Sequence, residues 1–476
     1  MYYIVKGHNE IDTVQSAIQI FYPNSSFHKT KTIPDDGLLV MSCVFDNTIL
    51  AKIYKDGKEI DSFSLLIQEK NVNKRDIKYS IFALLKMQIN LKTPWGIMTG
   101  VRPAKLVEKL ALSGMNKEEI VNYMKDSQLA ENSKIELAIK TYEKEKIITH
   151  KNTGKDVSLY IGIPFCPTRC LYCSFTSFKI EKYKNYVDKY LDSLFKEMEY
   201  GKKFLKNKFL ESIYVGGGTP TSLNPKQLEL LLNKITNYFD IANAKEFTLE
   251  AGRPDTITKE KLHILKNSNI SRISINPQTL NNKTLKLIGR NHTKEDFVNA
   301  FNMARSMGFN NINVDIILGL PGENLSDVKY TLNEIKKLQP ENLTVHTLAI
   351  KRASKLREEL SAHNLSEIDL IEEMINLSAY YAKELGLSPY YMYRQKNSLG
   401  NFENVGYSKE GLECIYNVQI MAEKQSILAL GAGASTKFIN LESNRIERAF
   451  NVKDVCEYIN RIDEMIDRKY ILKKMM

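Results

Sequence analysis

Tyr160-Ile161-Gly162-Ile163-Pro164-Phe165-Cys166-Pro167-Thr168-Arg169-Cys170-Leu171-Tyr172-Cys173 carries three thiols on one short segment, with three residues between the first pair and two between the second. Thiolates are the usual ligands of iron–sulfur clusters. Spacing this short lets a single loop wrap three corners of a cubane. The fourth iron then has no protein ligand and can chelate a small molecule. A structural zinc site normally asks for four ligands. No Cys or His lies between Cys173 and His263, and His150 sits across the preceding strand. Cys166, Cys170 and Cys173 are therefore read as ligands of a [4Fe–4S] cluster, with zinc and inert buried thiols as the weaker alternatives.

Just before the loop, Val157–Ile163 is a strand pattern. Downstream, Ser212–Val215, Glu246–Glu250, Arg272–Ile275, Ile312–Leu318 and Leu343–Leu348 repeat the pattern. Helical stretches such as Tyr183–Phe204 and Lys226–Tyr238 lie between them. Such alternation predicts an α/β fold: a parallel sheet curved into a full or partial (β/α) barrel over residues 151–350, with its site at the carboxyl ends of the strands. Residues 1–150 read as an α+β and helical extension, with strands at Leu38–Phe45, Ile49–Tyr54 and Ser62–Ile67, a turn at Asp56-Gly57 and a helix near Ile77–Ile89. Residues 351–476 read as a mixed, mainly helical accessory region, with a helix at Glu367–Leu385 and a Gly-containing stretch at Leu428–Lys437. Trp95, the only Trp, is expected to pack one domain on another.

The remaining bulk properties narrow the function. The chain has 476 residues, a formal charge of +11 and six cysteines. The charge suits an acidic partner such as a polycarboxylate or an anionic cofactor. No compact Arg/Lys run with interleaved aromatics points to nucleic acid. No stretch approaches the ~20 apolar residues of a membrane span, and the N-terminus does not read as a signal peptide. Cys43, Cys414 and Cys456 stand alone and read as ordinary thiols, so the expected setting is a reducing cytoplasm.

Polar and glycine motifs close the successive strands. Gly216-Gly217-Gly218-Thr219-Pro220-Thr221 follows the second, and its glycines would let backbone N–H groups approach a ligand. Glu250 ends the third, as a ribose or ammonium partner or simply a helix N-terminal charge. Gln278 follows the fourth, Gly289-Arg290-Asn291-His292 comes after it, and Asp315 lies in the fifth, ahead of Pro321-Gly322. Each has a bland structural explanation alone; together they line one end of one barrel.

The three-cysteine spacing resembles the radical SAM superfamily, and the ordered set of motifs from Tyr160 to Leu348 resembles the oxygen-independent coproporphyrinogen III oxidase (coproporphyrinogen dehydrogenase) family. The resemblance implies a [4Fe–4S] cluster whose open iron binds S-adenosylmethionine (SAM), with one or two SAM molecules in all. It makes Tyr160 and Glu250 catalytic candidates. It sets Tyr160 and Tyr172 beside the cluster and SAM, and Gly217, Gly218, Thr219 and Glu250 on the first SAM. Gln278, Arg290, Asp315 and Ala349 match positions around a second SAM. The implied reaction is oxidative decarboxylation of coproporphyrinogen III to protoporphyrinogen IX, in heme and porphyrin biosynthesis, with an electron donor such as flavodoxin or ferredoxin. Lys351, Arg352 and Arg394 have the chemistry to hold the substrate's carboxylates. The chain departs from the oxidases at Phe175, where they carry a fourth cysteine, and at Asn276-Pro277, where the usual pair is Gly-Val. The alternative is a heme-binding chaperone of the same family. Tyr416-Asn417-Val418-Gln419-Ile420-Met421 lacks the His and Trp that such chaperones carry there.

Overall fold

The computed structural model describes all residues except 24, 68–71, 151, 351–353, 355, 357–367, 396–400, 441–442, 444 and 475–476. The chain forms two compact units. One is Met1–Ile139 with Arg394–Glu403, and the other is Lys140–Tyr393 with Asn404–Met476.

In the first unit Tyr2–Lys6 lies parallel to Leu38–Phe45, which continues antiparallel through Thr48–Lys55 and Lys58–Leu66. Asp56 and Gly57 both take positive φ, as the two-residue hairpin between the last two strands requires. Helices Ile11–Phe21 and Lys74–Gln88 close over Val40, Ile49, Ala51 and Ile53 with Val14, Ile18, Ile77, Ile81 and Leu85. Trp95 packs within this unit. Its Nε1 donates to Glu403 Oε2 (2.7 Å), and the Arg394 guanidinium lies over its ring. The partners come from residues 394–403, which belong to the same unit and are remote in sequence, so local reading could not supply them.

The second unit is built on an eleven-stranded sheet. Its centre is six parallel strands in sequence order: Asp156–Ile163, Phe209–Gly217, Glu246–Glu250, Arg272–Ser274, Ile312–Leu318 and Asn342–Thr347. The order runs on past both ends of this set, so it is an open, partial barrel rather than a closed one. Fully buried Leu159, Ile161, Ile213, Leu249, Ile273 and Val314 alternate along these strands with polar or small residues such as Tyr160, Gly162, Tyr214, Glu250, Ser274 and Asp315, so one face is apolar and the other carries the candidate site. Connecting helices start on side-chain caps. Asn224, Thr293 and Asn324 each form a reciprocal capping box with the residue three places on. The C-terminal region adds strands to both edges. Glu403–Ser408 pairs antiparallel with Asn342–Thr347, and Ser426–Leu430 pairs parallel with Asp156–Ile163.

Candidate active site

The cysteine loop leaves the first central strand at Pro164, and the glycine triplet leaves the second. The two run against each other. Gly218 N–H donates to Ile163 O (2.8 Å) and Thr219 N–H to Phe165 O (2.7 Å). A Cβ on Gly218 would stand 2.6 Å from Phe165 O, and Gly217 has φ +105°, so the triplet is needed to bring the two backbones together. That approach sets Thr219 Oγ1 3.4 Å from Cys166 Sγ. The other end of the loop is tied to the segment after the fourth strand, by Leu171 N–H to Ile288 O (3.0 Å) and Thr168 Oγ1 to Gly289 O (2.7 Å). Burial pushes the Cys166 thiol up to about 12 and raises Cys173 as well, so a metal taking these sulfurs as thiolates must displace their protons.

Tyr160 and Tyr214 sit opposite each other in the first two strands, and Tyr416 completes a stack with ring centroids 4.6 to 6.3 Å apart. The Tyr214 hydroxyl donates to Glu250 Oε1 (2.6 Å). Glu250 presses on Gly216, where a Cβ would come within 2.9 Å of its carboxyl carbon. Burial, opposed by the Tyr214 hydrogen bond and aided by the nearby Asp315 charge, pushes the Glu250 carboxyl up to about 7. Asp315 goes the other way. Burial would raise it, but the facing His346 and hydrogen bonds from Asn313 and Thr344 hold it below the usual carboxylate range. Asn313 Nδ2 lies 2.6 Å from Asp315 Oδ1, His346 Nε2 lies 3.7 Å from Oδ2, and the Tyr393 hydroxyl lies 3.3 Å from His346 Nδ1.

The other candidates fall in the same region with different duties. Gln278 is buried in the left-handed region (φ 69°), pinned by Gln278 N–H to Asp315 O and Ile317 N–H to Gln278 O. Its Oε1 has no partner among the described residues. Arg290 spends Nη2 on Gly252 O and Asn276 O (2.7 Å each) and Nη1 on the Tyr172 hydroxyl (3.1 Å), leaving Nε without a partner among the described residues. Ala349 is buried beyond the sixth strand. Beside Arg290, the His292 ring is buried with neither nitrogen partnered among the described residues, and burial and the Arg290 charge push it down to about 3, so it is neutral near pH 7. Three further residues were not legible as site members: Tyr416, His346 and Arg253, whose Nη1 lies 3.7 Å from Cys170 Sγ. Lys351 and Arg352 lie outside the described residues. Arg394 donates from Nη1 to Met98 O (2.6 Å) and from Nε to Asn401 O (3.0 Å).

Comparison with known proteins matches residues 160–335 to the radical SAM superfamily. The chain is 42% identical to the oxygen-independent coproporphyrinogen-III oxidase-like protein HemZ of Bacillus subtilis, over 83% of this chain and 80% of that one. It belongs to that oxidase-like family of radical SAM proteins. A second relative, the heme chaperone HemW of Bacillus subtilis, is 31% identical over 64% of this chain and 76% of its own. Among solved structures, the radical SAM enzyme coproporphyrinogen III oxidase (HemN) from Escherichia coli shares the fold, with a TM-score of 0.54 at 22% identity, over 67% of this chain and 72% of that one.

As in this family, the cofactors are a [4Fe–4S] cluster and SAM. The donor set suits them: three thiols on one loop, a side-chain-free glycine backbone beside them, and unpartnered buried atoms on Gln278 and Arg290. Among the described residues no three metal-ligating side chains converge on a single-ion site. A cubane does not ask for that, since each thiolate serves a different iron. All six cysteines are free, and among the described residues no helix is long and apolar enough to cross a membrane.

Proposed function

We propose that this chain catalyses the oxygen-independent oxidative decarboxylation of two propionate side chains of coproporphyrinogen III, giving protoporphyrinogen IX, in a reducing cytoplasm and with electrons from a flavodoxin- or ferredoxin-like donor. When bound, the cluster and SAM supply a hydrogen-abstracting radical. The protein's part is to hold and shield. Cys166, Cys170 and Cys173 carry the cluster, and the backbone of Gly217, Gly218 and Thr219 lies where an amino-acid headgroup would sit. Tyr160, Tyr214 and Tyr416 wall one side with stacked rings. Glu250, held near neutrality and bonded to Tyr214, can accept from a ribose hydroxyl or ammonium and hold a proton there. Gln278, Asp315, Ala349 and the free Nε of Arg290 form the candidate second SAM position, and Tyr172 is carried by Arg290.

The observation that carries this reading is the convergence, at one end of one parallel sheet, of the three-thiol loop with Glu250, Gln278 and Asp315. A second reading, heme carriage without decarboxylation, is supported by Phe175. It stands 67% exposed where the oxidases have a fourth cysteine. Anaerobic reconstitution with SAM and reductant separates the two. Coproporphyrinogen should stimulate 5′-deoxyadenosine formation and release two CO₂ per porphyrinogen. Stoichiometric heme binding with coproporphyrinogen unchanged would favour the chaperone. Equilibrium binding that saturates at one SAM per chain would remove the second SAM position.

A further inference from the structure

Arg253 is 3% exposed and lies three residues beyond Glu250. Its Nε and Nη2 fork onto the two oxygens of Asp255, at 3.0 Å each. The remaining nitrogen turns the other way. Nη1 donates to Thr168 Oγ1 (3.0 Å) and lies 3.7 Å from Cys170 Sγ, within reach of an N–H···S bond. Thr168 Oγ1 in turn donates to Gly289 O (2.7 Å), so the hydroxyl is oriented by a donor on one side and an acceptor on the other. Asp255 alone would balance the buried charge. The contact with Cys170 is therefore an additional feature, and it uses the rigid planar fork that distinguishes Arg from Lys.

We propose that Arg253 is a positioning residue that raises the reduction potential of the cluster by presenting one guanidinium N–H to the Cys170 sulfur. The inference rests on ligation of the cluster by Cys166, Cys170 and Cys173. Hydrogen bonds to the sulfurs and net charge around them are among the levers that set such potentials. An N–H donor with a positive edge draws density from the thiolate and favours the cluster state that holds one more electron. Asp255 fixes the fork from behind, with its carboxylate on the far side of the guanidinium from the nitrogen that meets the sulfur. The cluster would then accept an electron from a donor of less negative potential than it could otherwise use.

The test uses the anaerobically reconstituted full chain. Iron and sulfide per chain are measured first, and then the cluster is titrated electrochemically while the reduced form is followed by electron paramagnetic resonance. Arg253→Met should load a cluster and lower the ratio of reduced to oxidised cluster at fixed potential by about tenfold, which for one electron is about 59 mV. Arg253→Lys, which keeps the charge without the fork, should recover part of the shift. A loaded R253M with the wild-type potential would overturn the proposal and leave Arg253 as a strut for the loop. If R253M does not fold or load, Arg253→Gln, neutral but able to reach Thr168, takes its place under the same two outcomes. Wild-type protein that retains no iron or sulfide would overturn the cysteine ligation itself, and this inference with it.

Discussion

Gly218→Ala tests the junction on which the site is built. The added Cβ would meet Phe165 O at 2.6 Å, Ile163 O at 2.8 Å and Phe165 C at 3.0 Å. All three are backbone atoms of the cysteine-loop strand, so no side chain can rotate away. An ordinary C···O separation of about 3.3 Å requires the two segments to part by roughly 0.7 Å. The Gly218–Ile163 and Thr219–Phe165 hydrogen bonds, now 2.8 and 2.7 Å, would then stretch beyond the normal N–H···O limit of ~3.2 Å. Overpacking of this kind costs about 1–3 kcal/mol, and each weakened hydrogen bond about 0.5–1.5 kcal/mol. The terms overlap, since the movement that relieves one causes the other, so the expected loss is about 2–4 kcal/mol. The 3.4 Å approach of Thr219 to Cys166 should also open, and iron content after anaerobic reconstitution should fall. Urea unfolding of the apoprotein, followed by far-ultraviolet circular dichroism, gives the stability term. Gly252→Ala is the control. It lies close by, but its Cβ would find only Asn276 Nδ2 at 3.5 Å, and its stability should change by no more than ~0.5 kcal/mol. A G218A protein as stable as wild type and fully loaded with iron would refute the argument that close backbone approach is the reason for the triplet.

Replacing Cys166, Cys170 or Cys173 singly by Ala should each lower bound iron and sulfide and abolish SAM cleavage, whereas Cys43→Ser and Cys456→Ser should leave iron content unchanged; tightly bound zinc in place of iron would reverse this reading. Glu250 gives a pH test. Burial pushes its carboxyl up to about 7, above the usual carboxylate range, so between the two the folded chain keeps a proton that the unfolded chain has lost. Its contribution to stability should therefore fall as pH rises from the unfolded value through about 7, and Glu250→Gln should flatten that part of the apoprotein profile; an unchanged slope would show that Glu250 titrates normally. Lys469→Met would strand Glu197, which is fully buried and bonded to Lys469 (2.6 Å), Tyr458 (2.6 Å) and Gly431 N–H (2.7 Å), and should cost about 3–5 kcal/mol in urea unfolding, with a loss under ~1 kcal/mol contradicting it.

What could be read from the chain alone was whatever local chemistry dictates. The cysteine loop needs no distant partner to be recognised. The strands Glu246–Glu250 and Ile312–Leu318 have the bounds their sequence suggests, because apolar residues at every second position (Phe247 and Leu249; Ile312, Val314 and Ile316) mark a buried face. Contacts made by distant segments were hidden. Ser426–Leu430 pairs with Asp156–Ile163 across more than half the chain, and nothing in either segment names the other. Tyr416 stands out in sequence only in the segment compared with the chaperones, and its place beside Tyr160 shows only once the C-terminal region is folded back. Arg394 and Glu403 likewise meet Trp95 only in three dimensions.

Polar residues at strand ends show a subtler limit. An Arg in such a place suggests an anion, yet the planar fork serves equally well for carbonyls that turns leave unpaired. Arg290 and Arg394 are both used that way, on Gly252 and Asn276 in one case and Met98 and Asn401 in the other. Residue type therefore marks where ligand chemistry is available, and the hydrogen-bond inventory shows what is left for a ligand. Around this site the described residues leave Gln278 Oε1, Arg290 Nε, Nε and Nη2 of the buried Arg272, and the two ring nitrogens of a neutral His292. A buried amide oxygen held in a left-handed backbone conformation, with no described protein group to accept from, is costly unless something else donates to it. The ammonium or a ribose hydroxyl of a bound SAM would meet that need, which makes Gln278 the strongest of the residues assigned to the second SAM position.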